Sequence, residues 1–409
     1  MTTDKEFDLI VFGATGFTGR LVAEYLHLSG ASGARWAIAG RSLDKLAKVR
    51  DALHLPPSVA LLKADASDAA VLKAMLARTR CVITTVGPYQ LHGEPLATAC
   101  AAGGTDYVDL CGEPLWMARM MTKLTPLAQA SGARIVFSCG FDSVPFDLGV
   151  VYLQAEAKAR FGAPLPEVRG RVARIKGAAS GGTLASMMET VAAVKREPAL
   201  AKVMANPFAL TPGFKGPRQP DDRGADFDDW ADAWAGPFMM ATINTKNVHR
   251  SNALRGHPWG EGFVYSEKLL TGRPGQGDKG RRKARALTCF TRLQNLALGL
   301  APTRALLRRF VLTQPGDGPD KAAREAGRYE LWFTGQSAGG ETLRAIVKGD
   351  RDPGYGSTCK MISETALCLL QDVDRDATPG GVWTPGSAMG LALVRRLQDR
   401  AGLTFEIAA

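Results

Sequence analysis

Three stretches of the 409-residue chain carry residue types whose spacing suits redox chemistry on a bound nucleotide. The first is Gly13-Ala14-Thr15-Gly16-Phe17-Thr18-Gly19, placed between the apolar run Phe7–Phe12 and a helical pattern of Leu21, Val22, Tyr25 and Leu26. Strand, glycine turn, helix is the order that a dinucleotide loop needs. Glycine permits the tight turn and lets the backbone approach a pyrophosphate, whose charge rests on free N–H groups at the helix start. The spacing is G-x-x-G-x-x-G instead of the commoner G-x-G-x-x-G, and such a turn alone also serves as an unliganded connection. The second stretch, Gly40-Arg41-Ser42, closes the next strand-like run. An acidic side chain here would hold the ribose hydroxyls of NAD(H); Arg41 instead suits the 2′-phosphate of NADP(H), unless it is a solvated loop residue. The third, Val86-Gly87-Pro88-Tyr89, follows the fourth apolar run and can lie along the nicotinamide half of the cofactor.

Hydride transfer asks a protein to hold the nicotinamide, polarise the acceptor and supply a proton. Tyr89 is the first candidate for proton donor, with Asp142 and Ser143 next, on the same carboxyl edge of a parallel sheet. Each has a structural alternative: a stacking wall for Tyr89, a cap or turn residue for Asp142, a turn hydroxyl for Ser143. His92 reads as a surface-loop histidine or as a second proton-transfer group. Asp65 sits either at the adenine amino group or at the N-terminus of the helix from Asp68 to Leu76. Gly181-Gly182-Thr183 is a second glycine-led helix start, able to hold a carboxylate or thioester oxygen, or simply to cap. The chain has no H-x-x-H or H-E-x-x-H pattern and no C-x-x-C pair among its seven cysteines, so no metal is expected.

These residues need a scaffold. Six strand-like segments, at 7–12, 35–39, 59–62, 81–86, 105–110 and 134–138, alternate with helical patterns over most of the first 148 residues. The expected fold class is therefore α/β: a Rossmann-type doubly wound parallel sheet over 1–148, binding ligands beyond the carboxyl ends of its strands. Strand candidates at 168–176, 263–270, 328–334 and 342–348 predict an α+β domain over 149–352 for substrate and dimerisation. Apolar helical patterns over 353–409 predict C-terminal helices packed back on the first domain. Residues 206–237, rich in Pro, Gly and Asp, read as a long loop able to line a site.

The formal net charge of +11 is concentrated. From Lys268 to Arg309 there are eleven Lys or Arg against one acid, Asp278. Within it, Leu287, Phe290, Leu293, Leu296 and Leu300 recur at helical spacing, with Arg304, Leu306, Leu307, Arg308, Arg309 and Phe310 beyond. A basic amphipathic helix docks an acidic acyl carrier protein, lies on an anionic membrane surface, or packs inward with solvated arginines. Nucleic acid is not expected, because the segment is poor in stacking aromatics and has no reading motif. A charged start and the lack of an apolar run of about 18–20 residues point to a cytoplasmic protein, with peripheral membrane association through this segment.

Taken together, Gly13–Gly19, Ala39-Gly40-Arg41, Val86–Tyr89 and Cys139-Gly140-Phe141-Asp142-Ser143-Val144-Pro145 resemble the saccharopine dehydrogenase-like oxidoreductases, and within them the trans-acting enoyl reductases of polyketide-derived lipid synthesis. The resemblance runs nearly the full length, strongest over 7–150 and again near Gly354-Tyr355-Gly356. It implies a Rossmann domain with a second α+β domain, NADP(H) as cofactor, and reduction of an enoyl chain held as a thioester on a carrier protein. Other readings within it are reduction of a C=N or C=O substrate, or a lipid-associated NADP-binding protein without turnover. The basic substrate-binding pattern of a lysine-pathway enzyme is not recognisable. A homodimer through the second domain is compatible with the fold.

Overall fold

The computed structural model describes residues 5–177, 181–300, 302–304 and 318–408. The first sheet begins with β1 (Phe7–Phe12), β2 (Trp36–Gly40), β3 (Ala60–Lys63), β4 (Thr79–Thr84), β5 (Asp106–Val108) and β6 (Arg134–Val136). Leu9, Ile10 and Val11 are fully buried because helices cover both faces of a parallel sheet, which is why its strands read as continuous apolar runs. Between them run α1 (Phe17–Leu28), α2 (Leu43–Ala52), α3 (Ala69–Ala77), α4 (Tyr89–His92), α5 (Glu94–Gly103) and α6 (Pro114–Ser131). Ser42 accepts from the Lys45 N–H to start α2, and Asp68 accepts from Ala70 and Val71 to start α3.

Helix α7 (Val144–Phe161) leads into a second sheet built from β7 (Glu167–Lys176), β8 (Asp226–Asp228), β9 (Ala233–Pro237), β10 (Val264–Leu270), β11 (Arg328–Gln336) and β12 (Thr342–Gly349). Between β7 and β11 lie α8 (Gly181–Arg196), α9 (Leu200–Ala205), α10 (Ala241–Leu254) and α11 (Gly277–Leu298). The tail adds β13 (Gly381–Trp383) and β14 (Leu403–Ile407). The first sheet has the order β13-β6-β5-β4-β1-β2-β3 and is parallel throughout. The second has the order β14-β12-β11-β7-β10-β9-β8, antiparallel except where β7 meets β10.

The tail is thus shared. Helix Thr358–Gln371 packs on α1, β4 and β5, helix Leu391–Arg400 packs on it and on α7, and one short strand goes to the edge of each sheet. Neither of those strands is visible in the sequence pattern. One apolar cluster runs without a break from Leu9 and Val11 through Phe146 and Phe333 to Phe405. Gly149 lets α7 close onto the second sheet, since a Cβ there would lie 2.2 Å from the Phe333 ring. Arg134 is buried in β6 and paired at 2.6 Å with Asp106 of β5, which fixes the outer half of the first sheet.

Candidate functional site

The sheet order reverses between β1 and β4, and the crevice beyond their carboxyl ends is where a doubly wound sheet takes its ligand. Gly13 turns there with φ +89°, its N–H donating to the Ala39 carbonyl at 3.0 Å. A Cβ on Gly13 would lie 2.6 Å from Val86 Cγ2, so the two loops touch only because it is glycine. A Cβ on Gly19 would lie 2.2 Å from the Gly13 carbonyl oxygen, so this position seats α1 against the turn. Gly16 opens α1 in extended backbone with no side chain capping the helix, which leaves its first-turn N–H groups facing the crevice. Thr15 lies over Gly40, and Thr18 is half-buried in the first turn. Phe17 stands edge-on to Tyr355 at 4.8 Å, with Arg20 and Arg324 over its ring, and so ties the turn to the tail. The cradle that a pyrophosphate needs is built into this backbone, and NADP(H) fits it.

Arg41 stands exposed just past β2, beside that cradle. Asp65 follows β3; hydrogen bonds from Ser67 N–H and Oγ, at 2.9 and 2.8 Å, hold its carboxyl below the usual range, with Arg41 adding a smaller pull. The α3 helix takes its cap from Asp68, so of the two alternatives for Asp65 the helix cap falls away, and Asp65 closes its own turn.

Beyond β4, Val86 is half-buried against Gly13, Gly87 is exposed, and Pro88 precedes α4. The Tyr89 ring is buried, 5.7 Å from Trp116. Its hydroxyl donates to the Thr84 carbonyl at 3.1 Å and accepts from the Leu110 N–H at 3.0 Å. Burial, then the nearby Asp109 carboxyl, push the phenol well above its ordinary value. Tyr89 therefore braces the ends of β4 and β5. His92 is exposed at the far end of α4.

Glu113, which the sequence offers only as the end of a strand-closing Cys-Gly-Glu-Pro, is the residue that organises this edge. Its buried carboxylate accepts from the N–H groups of Tyr89 and Gln90, both at 2.8 Å, and from Ser186 Oγ of α8 at 2.6 Å. Gln90 Nε2 donates to Thr190 Oγ1 of the same helix at 3.0 Å. Helices α4 and α8 are thereby latched across the crevice. The only sequence signal was an acid placed just before a helix-starting proline.

Asp142 lies on the same edge, half-buried, with its carboxyl facing the start of α8; Thr183 Oγ1 is 3.5 Å from its Oδ2. Burial pushes it up to about 6, offset in part by Thr183. The Gly181 N–H donates to the Tyr355 hydroxyl at 3.1 Å, which ties this end of α8 to the tail. Ser143, one residue on, turns inward: it is 1 % exposed, donates to the Asp142 carbonyl at 2.7 Å and accepts from Asn247 Nδ2 at 2.8 Å. Behind it, Asn244 Nδ2 donates to Glu267 at 2.7 Å, and burial pushes Glu267 up to about 8. The structure thus gathers Gly13, Thr15, Gly16, Thr18, Gly19, Arg41, Asp65, Val86, Gly87, Pro88 and Asp142 along one edge. The functional groups of Tyr89 and Ser143 point away from it.

The profile of the saccharopine dehydrogenase NADP binding domain matches residues 9–136. The chain is 36 % identical to a trans-acting enoyl reductase of Mycobacterium ulcerans, over 97 % of its own length and 96 % of that protein's. It is 40 % identical to a Mycobacterium tuberculosis protein provisionally given the same name, over 99 % of this chain and 98 % of the relative. Among solved structures, apo saccharopine dehydrogenase from Saccharomyces cerevisiae shares the fold, with a TM-score of 0.54 at 14 % identity over 98 % of this chain and all of that one. The chain is a member of the trans-acting enoyl reductase family, an NADP(H) oxidoreductase built on the saccharopine dehydrogenase fold.

Proposed function

We propose that this protein reduces the carbon–carbon double bond of an enoyl thioester, a lipid or polyketide intermediate borne by an acyl carrier protein, with NADPH as reductant. The observation that carries the reading is the pairing of Asp142 with Thr183 in the first turn of α8, at the carboxyl edge of the first sheet. The phosphates are held by the turn from Gly13 to Gly19 and the 2′-phosphate by Arg41; Val86, Gly87 and Pro88 line the ring. When bound, NADPH supplies the hydride that adds to the β-carbon. The backbone N–H of Gly182 polarises the thioester oxygen and stabilises the enolate charge that develops there. Asp142, whose pKa near 6 keeps a protonated fraction at neutral pH, delivers the proton to the α-carbon. Tyr89 and Ser143 act as braces in this scheme, and Glu113 positions α4 and α8.

The name of the relatives supports the acceptor class, and their family supports the reductant. Self-association through a free edge of the second sheet is part of the same reading. The test is NADPH oxidation against a panel of enoyl, ketone and imine substrates. Turnover with 2-enoyl thioesters and none with the others is expected; turnover confined to ketones or imines contradicts the proposal.

A further inference from the structure

Helix α11 has two unlike faces. Gly280, Ala284, Thr288 and Leu298 are buried, a narrow stripe of mostly small residues seated on β9 beside Trp234 and Gly236. Turned away from the body are Phe290, Leu293, Leu296 and Leu300, exposed by 63, 59, 68 and 53 %. At about 100° per residue, Leu293, Leu296 and Leu300 fall opposite the buried stripe and Phe290 borders them. The N-terminal half of the same helix presents Lys279, Arg282, Lys283 and Arg285 to water, with Arg292 flanking the apolar half. Asp278 is the one acid of the helix, and it pairs with Arg281 at 2.9 Å.

We propose that the outward face of α11 docks the protein on an anionic phospholipid surface. A helix lying in the interface plane inserts its apolar half below the headgroups while its cations meet the lipid phosphates, which satisfies both halves of this face together. An acidic carrier protein would engage the cations and leave the apolar half wet, so the lipid surface accounts for more of what is exposed. Among the described residues no helix is long and apolar enough to cross a membrane, so the attachment is peripheral. Such docking does not depend on which acceptor the enzyme reduces.

The chain carries its own reporter. Cys289 lies on this face and is exposed, whereas Cys81, Cys100, Cys111, Cys139, Cys359 and Cys368 are buried. The full-length protein labelled at Cys289 with an environment-sensitive maleimide should show a blue shift on phosphatidylcholine vesicles containing phosphatidylglycerol and none on phosphatidylcholine alone. Co-sedimentation should fall steeply with added salt. Replacing Phe290, Leu293 and Leu296 together by Ser should weaken vesicle binding at least about tenfold, as should Arg282→Gln with Lys283→Gln and Arg285→Gln, with NADPH affinity unchanged as the control for folding. The proposal is overturned by a Cys289 that does not react with maleimide, which would mean that the chain itself covers the face. Vesicle binding indifferent to lipid charge or to these variants overturns it as well. So does light scattering that shows a dimer dissociated by the Ser variant, or an acyl carrier protein that binds this face while vesicles do not.

Discussion

Burial raises the pKa of both the Asp142 carboxyl and the Tyr89 phenol, but leaves them in different settings. Both follow strands of the first sheet, yet the Tyr89 hydroxyl is bonded to two backbone groups and its proton is held far above the neutral range. Asp142 keeps a carboxyl at the surface of the crevice with a pKa pushed up to about 6 by burial. If Asp142 donates the proton, Asp142→Asn should lower kcat by about 10²–10⁴-fold while leaving NADPH affinity intact. Tyr89→Phe should retain most activity, since the hydroxyl it loses braces backbone. The pH profile follows in sign: a donor must be protonated, so kcat should fall as pH rises through about 6. Steady-state rates from pH 5 to 8, with wild type and both variants, test this. A Tyr89→Phe enzyme as inactive as Asp142→Asn would return the role to the phenol.

At the scale of elements, the crevice is held by contacts that span the two sheets. Glu113 joins α4 to α8 through three hydrogen bonds, across a separation of 73 residues to Ser186. Glu113→Ala leaves the buried Tyr89 N–H and the half-buried Gln90 N–H without their acceptor, the buried one alone costing about 1–3 kcal/mol. A lower melting temperature and faster hydrogen exchange across α8 are expected, with NADPH binding at the glycine turn little changed. Protection of α8 equal to wild type would show that the latch does not hold it. This element shows the limit of the sequence. The strands of the first sheet were legible because burial on both faces writes them as apolar runs, and the glycine turn because its spacing is tied to a strand and a helix. Of the two alternatives for Asp65, the cap goes to Asp68, which lies closer to the helix and takes its N–H groups. Glu113 and Ser143 were opaque for a different reason. Their partners, Ser186 and Asn247, lie 73 and 104 residues away, and no local pattern reports such pairings. Strands β13 and β14, three and five residues long at sheet edges, are too short for periodicity to mark. Residues 305–317, where part of the basic amphipathic pattern was read, lie outside the described residues.

For the molecule as a whole, the continuous apolar cluster from Leu9 to Phe405 couples the two sheets, and a buried polar path runs from Ser143 through Asn244 to Glu267 and Tyr265. Glu267 is fully buried and its carboxyl is pushed up to about 8 by burial, above its value in an unfolded chain. The folded state then holds a proton that the unfolded state releases. The stability tied to this group is complete below about pH 4.3, its unfolded value, and is lost as pH rises through about 8. Thermal or urea unfolding should therefore show a component that weakens by at most about 1.4 kcal/mol per pH unit across that window. Glu267→Gln, which keeps an amide in place of the protonated acid, should remove that component; an unchanged pH slope in the variant would place the proton elsewhere.

The proposed reductase needs a nucleotide held by the turn from Gly13 to Gly19 and chosen by Arg41. Calorimetric titration of NADPH and NADH into wild type and Arg41→Ala tests it most directly. Tighter binding of NADPH to wild type is predicted, with Arg41→Ala losing about 1.5–3 kcal/mol of NADPH affinity, the usual worth of a charged hydrogen bond, and binding NADH as before. Equal affinity of wild type for the two nucleotides, or no binding of either, would contradict it.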